Sequence, residues 1–456
     1  MSALDQQILQ GYKQTEVGVI PEDWETRTLK EMATSNGLVR GPFGGALKKE
    51  HFSKDGYKVY EQRNAIYGNT TMGNYFINQK KFDELKRFAV SSGDFIVSCS
   101  GTIGRIFKVP NECPKGIINQ ALLKITLNDT IDPDYFGHYF KWDTFQEKII
   151  DGTQGGAMKN LVGMSEFKES LMPVPSCKKE QTAIANALSD VDALLTELET
   201  LIAKKQAIKT ATMQQLLTGK TRLPQFTTHM EGEKKDQSKG TKSSELGVIP
   251  EDWGKVNIGD NAILKARIGW QALTTKEYLD TGSNILVTGT DFDAGNVNWD
   301  SCCFVSEWRY KQDANIQLKT NDVLITKDGT IGKVGFINEL PLPATLNSGV
   351  FVIRPKLQSF YPKYLFYVLT SSIFKNFING ITAGSTITHL YQKDFVNFEF
   401  ASPDIEEQKA IATILSDMDN EIQTLEQRLA KTRQIKQGMM QELLTGRTRL
   451  PFEKES

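Results

Sequence analysis

"LLTGKTRLP" at residues 216–224 returns, with one letter changed, as "LLTGRTRLP" at residues 443–451. Reading backwards from each copy, Glu180–Pro224 aligns without a gap to Glu407–Pro451, with about 25 identities in 45 positions. Further out, "GVIPEDW" at 18–24 recurs at 247–253 and "GTIG" at 101–104 recurs at 329–332, so the offsets are 229, 228 and 227. A fixed period of this kind is the mark of one unit written twice.

The well-matched segments have the periodicity of long helices. Ile184, Leu188, Val191, Leu195, Leu198 and Ile202 step by fours and threes, and Ile411, Leu415, Met418, Ile422, Leu425 and Leu429 do the same. Such a seam is that of a coiled coil. Each pattern starts after prolines, in "PVPSCKKEQ" and "SPDIEEQ", with acids in the first turn. Gly219 and Gly446 supply the stops, with Pro224 and Pro451 beyond. About 38 helical residues rising 1.5 Å each make a rod of roughly 57 Å. If the first helix carries the chain that far before the second copy begins, the second helix runs back beside it, and the pair is antiparallel.

Between these helices and the "GVIPEDW" copies only scattered residues agree. "SGDFIVSCSGTIGRIFKV" (92–109) and "TNDVLITKDGTIGKVGFI" (320–337) alternate apolar and polar residues around a glycine-bounded turn, the pattern of a hairpin. "DYFGHYFKWDTFQEKII" and "KYLFYVLTSSIFKNFI" carry helical periodicity. The expectation is a mixed α/β (α+β) chain with two strand-rich domains on two long antiparallel coiled-coil helices, related by an internal pseudo-twofold repeat. Its segments are a first domain at 1–176, a first helix at 177–224, a polar linker at 225–243, a second domain at 244–402, and a second helix with a tail at 403–456.

Composition narrows the function only a little. The 54 basic residues nearly cancel the 55 acidic ones, so net charge selects no partner. The first residues lack the apolar core of a signal peptide, and no run approaches the 18 apolar residues of a membrane span, which fits a cytoplasmic protein without a membrane. Five cysteines without CxxC spacing read as reduced packing residues rather than metal ligands. "TGKT" at 218–221 resembles the tail of a phosphate-binding loop, but Gln214 stands where that loop needs its first glycine. No HExxH, GxSxG or paired-CxxC pattern is present, and the four histidines are scattered. The chain therefore reads as a binding scaffold with no catalytic residues and no metal or cofactor of its own.

Near-identical helices suit two copies of one protein partner, whereas divergent domains suit two different ligands or one asymmetric ligand with two half-sites. Double-stranded DNA meets the second description. Residues 40–124 contain 14 Lys and Arg against 7 Asp and Glu, an excess that suits phosphate contact; residues 254–340 contain 9 against 11.

Taken together, "YKQTEVGVIPEDWE", "GPFGGALKK", "GTIG", the proline-led "EQ" helix start and "MQQLLTGKTRLP" resemble the specificity subunit of type I restriction–modification systems across nearly the whole chain. The resemblance implies two target-recognition domains on an antiparallel helical spacer, each reading half of a bipartite DNA sequence. It also implies assembly with two DNA adenine methyltransferase subunits, joined by restriction and translocase subunits. S-adenosylmethionine, ATP and Mg would then belong to those partners. Consistent with this division of labour, the chain lacks the [DNS]PP[FYW] signature of an adenine methyltransferase. The second unit departs from the first at "ARIGWQALTTK", where the first has "GPFGGALKK".

Candidate DNA contacts follow from chemistry and loop position. Gln62, Arg63 and Asn64 follow a strand and carry side chains that pair with guanine or adenine edges. Arg40, Lys48 and Lys49 flank a glycine-rich loop and suit phosphates. Ser100, Thr102 and Arg105 surround the first hairpin turn, and Lys327, Asp328 and Thr330 surround the second. Trp270 and Gln271 complete the set. The helix-pairing set is Leu188, Val191, Leu195, Leu198 and Ile202 with Leu415, Met418, Ile422, Leu425 and Leu429. Two rival classes stay open from residues alone: a duplicated scaffold for a ligand other than nucleic acid, and a single-chain DNA-modifying enzyme with a disguised site.

Overall fold

The computed structural model describes residues 10–151, 160–233, 235–268, 271–382 and 389–451. The chain forms two compact units, the first combining residues 1–199 with 427–456 and the second comprising residues 200–426. The long helices are Lys178–Leu217 and Ile405–Leu443, so each unit owns the start of one helix and the end of the other.

The first unit is built on an antiparallel sheet in the order Ile106–Lys108, Phe95–Ser98, Leu122–Leu127, Ala33–Arg40. A five-stranded sheet lies in the order Phe52–Ser53, Phe76–Ile77, Tyr57–Tyr60, Gly116–Ile118, Ala89–Val90, with Tyr57–Tyr60 and Gly116–Ile118 parallel. Phe95–Ser98 is buried on both faces, and the two-residue period of a strand divides its side chains between cores: Phe95 and Val97 enter one, Ile96 the other. Val323–Thr326 repeats this in the second unit, with Val323 and Ile325 in one core and Leu324 in another. The second unit's main sheet runs Ala262–Lys265, Val350–Pro355, Val323–Thr326, Val334–Phe336, Asn296–Val297, Phe292–Asp293, beside a three-stranded sheet of Cys303–Phe304, Ile285–Val287 and Ala344–Leu346.

The aromatic-rich segments form helices Pro133–Lys141 and Asp143–Ile149 in the first unit, and Pro362–Thr370 and Ser372–Thr382 in the second. Asp132 starts the first of these by accepting from the amides of Asp134 and Tyr135 at 2.9 and 3.0 Å, with Pro133 at the opening position. Tyr135, Phe136, Tyr139, Phe140 and Phe145 then join the core that also contains Ile184 and Leu188 of one long helix and Leu443 and Leu444 at the end of the other.

Within the first unit the long helices pair in opposite directions, since Asp192 meets Lys436 at 2.6 Å and Glu199 meets Arg433 at 2.7 Å. Within the second unit Lys205 meets Glu421 at 2.7 Å, and Lys209 meets Asp419. All ten seam residues expected to pair are buried or half-buried, whereas Leu201, Ile208 and Ile435, which lie off the seam, are exposed.

The repeated nine letters have a specific task. Gly219 takes φ of +68° and Gly446 +71°, and a Cβ on either would collide with Pro250 or Pro21 respectively. Each glycine thus seats its motif against an "IPEDW" segment. Beyond it, Arg222 forks onto Asp252 (2.8 and 3.0 Å) and holds Glu407 (3.0 Å from Nε), which Trp253 Nε1 also approaches at 3.3 Å. Arg449 forks onto Asp23 (3.0 Å twice) and holds Glu180. The pairing is crossed: the motif ending the first repeat clasps the opening of the second, and the motif ending the second clasps the opening of the first.

The expected linker is partly structured. Thr241–Ser244 pairs with Gly247–Pro250, and Thr228 bridges Ser238, so regular structure begins inside 225–243. The hairpin of Tyr12–Thr15 with Gly18–Pro21 is its counterpart in the first unit.

A polar clasp joins each domain to the helices, with one informative difference. In the second unit the Tyr367 hydroxyl lies 3.0 Å from Ser416 Oγ and donates to Asp419 at 2.8 Å. At the matching place in the first unit is His138, buried, with Nε2 3.0 Å from Ser189 Oγ and Nδ1 3.8 Å from Asp192. Burial lowers the His138 pKa from its ordinary 6.5; Asp192 and Asp134 oppose that shift, while Lys141 and Lys436 reinforce it. The unfolded chain therefore binds the proton more tightly, and this contribution to stability is present above the ordinary value and lost as pH falls from it towards the lowered one. His138→Tyr, which copies the second unit, is expected to remove that acid sensitivity from the first unit alone. Thermal unfolding at pH 5 and pH 8 checks this, and an unchanged acid dependence in the variant would refute it.

Candidate nucleic-acid interface

Four connections of the first unit converge at one edge of its sheets. The Gly41 amide donates to Leu122 O (2.8 Å), the Asn119 amide to Tyr60 O (2.9 Å), and the Cys99 amide to Ala121 O (2.9 Å); the Gln62 side chain donates to Ser100 O. This brings together the loop after Ala33–Arg40, the start of helix Gln62–Tyr67, the turn between Phe95–Ser98 and Ile106–Lys108, and the turn at Asn119–Ala121. The second unit repeats two of these contacts and adds one from a further segment. The Asn347 amide donates to Val287 O (3.0 Å), Lys327 to Gly349 O (2.9 Å) and Leu390 to Lys327 O (2.7 Å).

The "GTIG" turns share one internal frame. Ser98 Oγ donates to Thr102 O at 2.6 Å and accepts from the Arg105 amide at 3.0 Å; Thr326 Oγ1 does both for Thr330 and Lys333 at 2.5 and 2.9 Å. Gly101, Gly104, Gly329 and Gly332 all take positive φ, so the turn itself requires them. Outside that frame the side chains differ, with Ser100 answered by Asp328, Gln62 by Gly289 and Arg63 by Thr290.

The expected contact residues divide by accessibility. Lys48, Lys49, Arg63, Thr102, Arg105 and Thr330 are exposed, although Glu61 lies 3.4 Å from Arg63 and Glu50 3.8 Å from Lys48. Gln62, Ser100, Lys327 and Asp328 are half-buried, and Lys327 Nζ sits 5.2 Å from the Phe351 ring centre. Arg40 is half-buried with its guanidinium 5.9 Å from the Phe43 ring and its Nε without a hydrogen-bond partner. Trp270 falls outside the described residues.

Two expectations are corrected. Asn64 is fully buried: its Oδ1 accepts from the Glu61 amide (2.7 Å) and its Nδ2 donates to Asn69 O and Met72 O (2.7 and 2.9 Å). Asp291 accepts from the Thr288 amide in the same way (2.7 Å), so this position builds a turn in both units and its polar atoms do not face a ligand. Gln271 is likewise buried. Nearby, Arg267 is buried too, donating to Leu346 O at 2.8 Å, and burial holds its pKa below the ordinary arginine value. Sequence reasoning missed the exposed rings of Phe43, Tyr67 and Trp308. An aromatic residue between the glycines of "GPFGG" was the available signal for the first.

Among the described residues no group of three or more His, Cys, Asp or Glu could hold a metal ion, and no helix is long and apolar enough to cross a membrane. Each cluster offers hydrogen-bond donors, with Glu50 and Glu61 beside those of the first and Asp328 among those of the second. The fold and these paired clusters define a duplicated recognition protein.

The chain matches the family described as the type I restriction modification DNA specificity domain over residues 21–210 and again over 250–434, and it belongs to that family. It is 24% identical over 437 residues to the type I restriction enzyme MjaVIII specificity subunit of Methanocaldococcus jannaschii, covering 94% of each chain. It is 24% identical to the EcoBI specificity subunit of Escherichia coli over 380 residues, 81% of this chain and 74% of that one. The crystal structure of the S subunit from M. genitalium shares the fold, with a TM-score of 0.53 at 18% identity over 92% of this chain and 96% of that one. Each matched segment contains a target-recognition domain together with most of one long helix, and the role of the family within these systems is non-catalytic.

Proposed function

We propose that each loop cluster reads one half of an asymmetric bipartite sequence in double-stranded DNA. The exposed faces of the long helices, with the adjoining domain surfaces, dock two DNA adenine methyltransferase subunits, and restriction and translocase subunits complete the assembly. S-adenosylmethionine, ATP and Mg act in those partners, and the complex works in the cytoplasm. The observation that carries this reading is one loop frame built twice from the same hydrogen bonds and furnished with different side chains. A scaffold for two identical ligands would have no use for that divergence.

Arg40, Lys48 and Lys49 suit phosphates; Gln62, Arg63, Ser100, Thr102 and Arg105 suit base edges of the first half-site; Lys327, Asp328 and Thr330 suit the second. Phe43 and Tyr67 add apolar surface for a base or sugar. Replacing residues 25–170 by the equivalent stretch of a relative is expected to change one half of the methylated motif and leave the other intact. Replacing 254–402 should do the converse. Methylome sequencing of cells carrying the complex checks both, and a motif altered in both halves by either exchange would contradict independent reading.

A further inference from the structure

The two "GTIG" turns differ in chemistry at the residue just before the first glycine. In the first unit it is Ser100 and in the second Asp328, on backbones held by the same pair of hydroxyl hydrogen bonds. A carboxylate is a poor choice on a surface meant for DNA, because every phosphate repels it. It is useful only where it meets a hydrogen-bond donor.

Asp328 is held as a positioned acceptor. Its Oδ1 pairs with His389 Nδ1, which arrives from a separate segment, and the two backbones bridge at these residues. The His389 ring is braced by Tyr391, with ring centres 4.6 Å apart. A Cβ built on Gly349 would stand 3.7 Å from Oδ2 and 3.4 Å from Asn347 Oδ1, so both oxygens border that glycine. The Asp328 side chain remains 43% exposed, so one oxygen is fixed by the imidazole while the group as a whole still reaches solvent.

We propose that Asp328 is the specificity-determining acceptor of the second domain and takes a hydrogen bond from the N4 amino group of a cytosine in the major groove, with His389 as its positioning residue. The proposal rests on the DNA-reading function given above. The choice of base follows from the four edges: guanine shows only acceptors there, thymine shows an acceptor and a methyl group, and adenine sets its N7 acceptor beside its amino donor. Cytosine alone offers a donor without a neighbouring acceptor. Ser100, which can donate or accept, places no such restriction on the first half-site.

The test uses the assembled methyltransferase complex carrying Asp328→Asn or Asp328→Ser, the latter being the residue of the first unit. Methylome sequencing and methylation of a panel of single-base-substituted duplexes are the readouts. Discrimination for one cytosine of the second half-site is expected to fall from about 5–150-fold towards none, while the first half-site keeps its sequence. His389→Ala should weaken the same discrimination, and His389→Asn, whose amide can still donate to Oδ1, should restore most of it. Discrimination unchanged in both Asp328 variants, or relaxed at a base other than cytosine, would overturn the proposal, as would a second half-site without a G·C pair. Exchange of residues 254–402 separates the two levels. If it changes the second half-site while the Asp328 variants do not, only the role of Asp328 falls. If the exchange changes nothing, the DNA-reading function of this domain falls with it.

Discussion

Arg222→Ala is expected to destabilise the second unit by about 3–5 kcal/mol, the cost of leaving a buried charge without its partner. Glu407 is 1% exposed, and Arg222 occupies both of its oxygens, with the Trp253 indole N–H, at 3.3 Å, as its one further side-chain donor among the described residues. Burial disfavours the Arg222 charge, but hydrogen bonds to Glu407 and Asp252 outweigh that and raise its pKa. At roughly 2–4 °C per kcal/mol for a unit of this size, the loss is about 10 °C in Tm. Arg449→Ala should have the same consequence for the first unit, where Glu180 is equally buried and Trp24 Nε1 makes no hydrogen bond. Adding Glu407→Gln to Arg222→Ala should recover much of the loss, because an amide tolerates the site better than an unpaired carboxylate. Calorimetry that resolves two transitions measures this, and a second-unit transition that stays in place in Arg222→Ala would remove the clasp from the explanation of stability.

Leu198→Glu should be nearly as damaging, for a different reason. Leu198 is 4% exposed within the seam, so the change forfeits about 1.5–3 kcal/mol of burial and forces a carboxylate into a buried position. Leu425 is half-buried, and its replacement by Glu should cost only about 1–2 kcal/mol. With both changes the helix pairing is expected to fail, and assembly with two methyltransferase subunits with it. Native mass spectrometry of the co-expressed subunits is the measurement; an intact two-to-one complex carrying both substitutions would mean that the helices are not the dock. Leu198→Ile, which keeps the volume and the apolar character, is the control that should assemble normally.

The helices were legible because two copies of one heptad pattern supported each other residue by residue, and every seam position is buried or half-buried. The hairpins were legible from alternation around "GTIG". The crossed clasp was not, for a reason of symmetry: Asp23 and Asp252 sit in identical "IPEDW" contexts, and Glu180 and Glu407 in near-identical helix starts, so no local signal says which copy Arg222 should choose. The role of Asn64 was hidden because it depends on carbonyls at Asn69 and Met72 that a loop brings back. Its chemistry alone suits adenine equally well. Gln271 illustrates the same limit, since an amide has the same chemistry whether it is buried or faces a ligand.

The crossed clasp also sets an order of events during synthesis. Residues 200–426 are contiguous, so every part of the second unit, Arg222 and Glu407 included, exists once residue 426 has been made. The first unit then still lacks residues 427–456, and with them Met440, Leu443 and Leu444 of its core and Arg449 of its clasp. Asp23 meets Arg449 only after the chain has grown 426 positions further. The half that is begun first is the last that can be closed, and a ribosome that stops short of Arg449 leaves a chain whose second unit has all its parts and whose first cannot fasten.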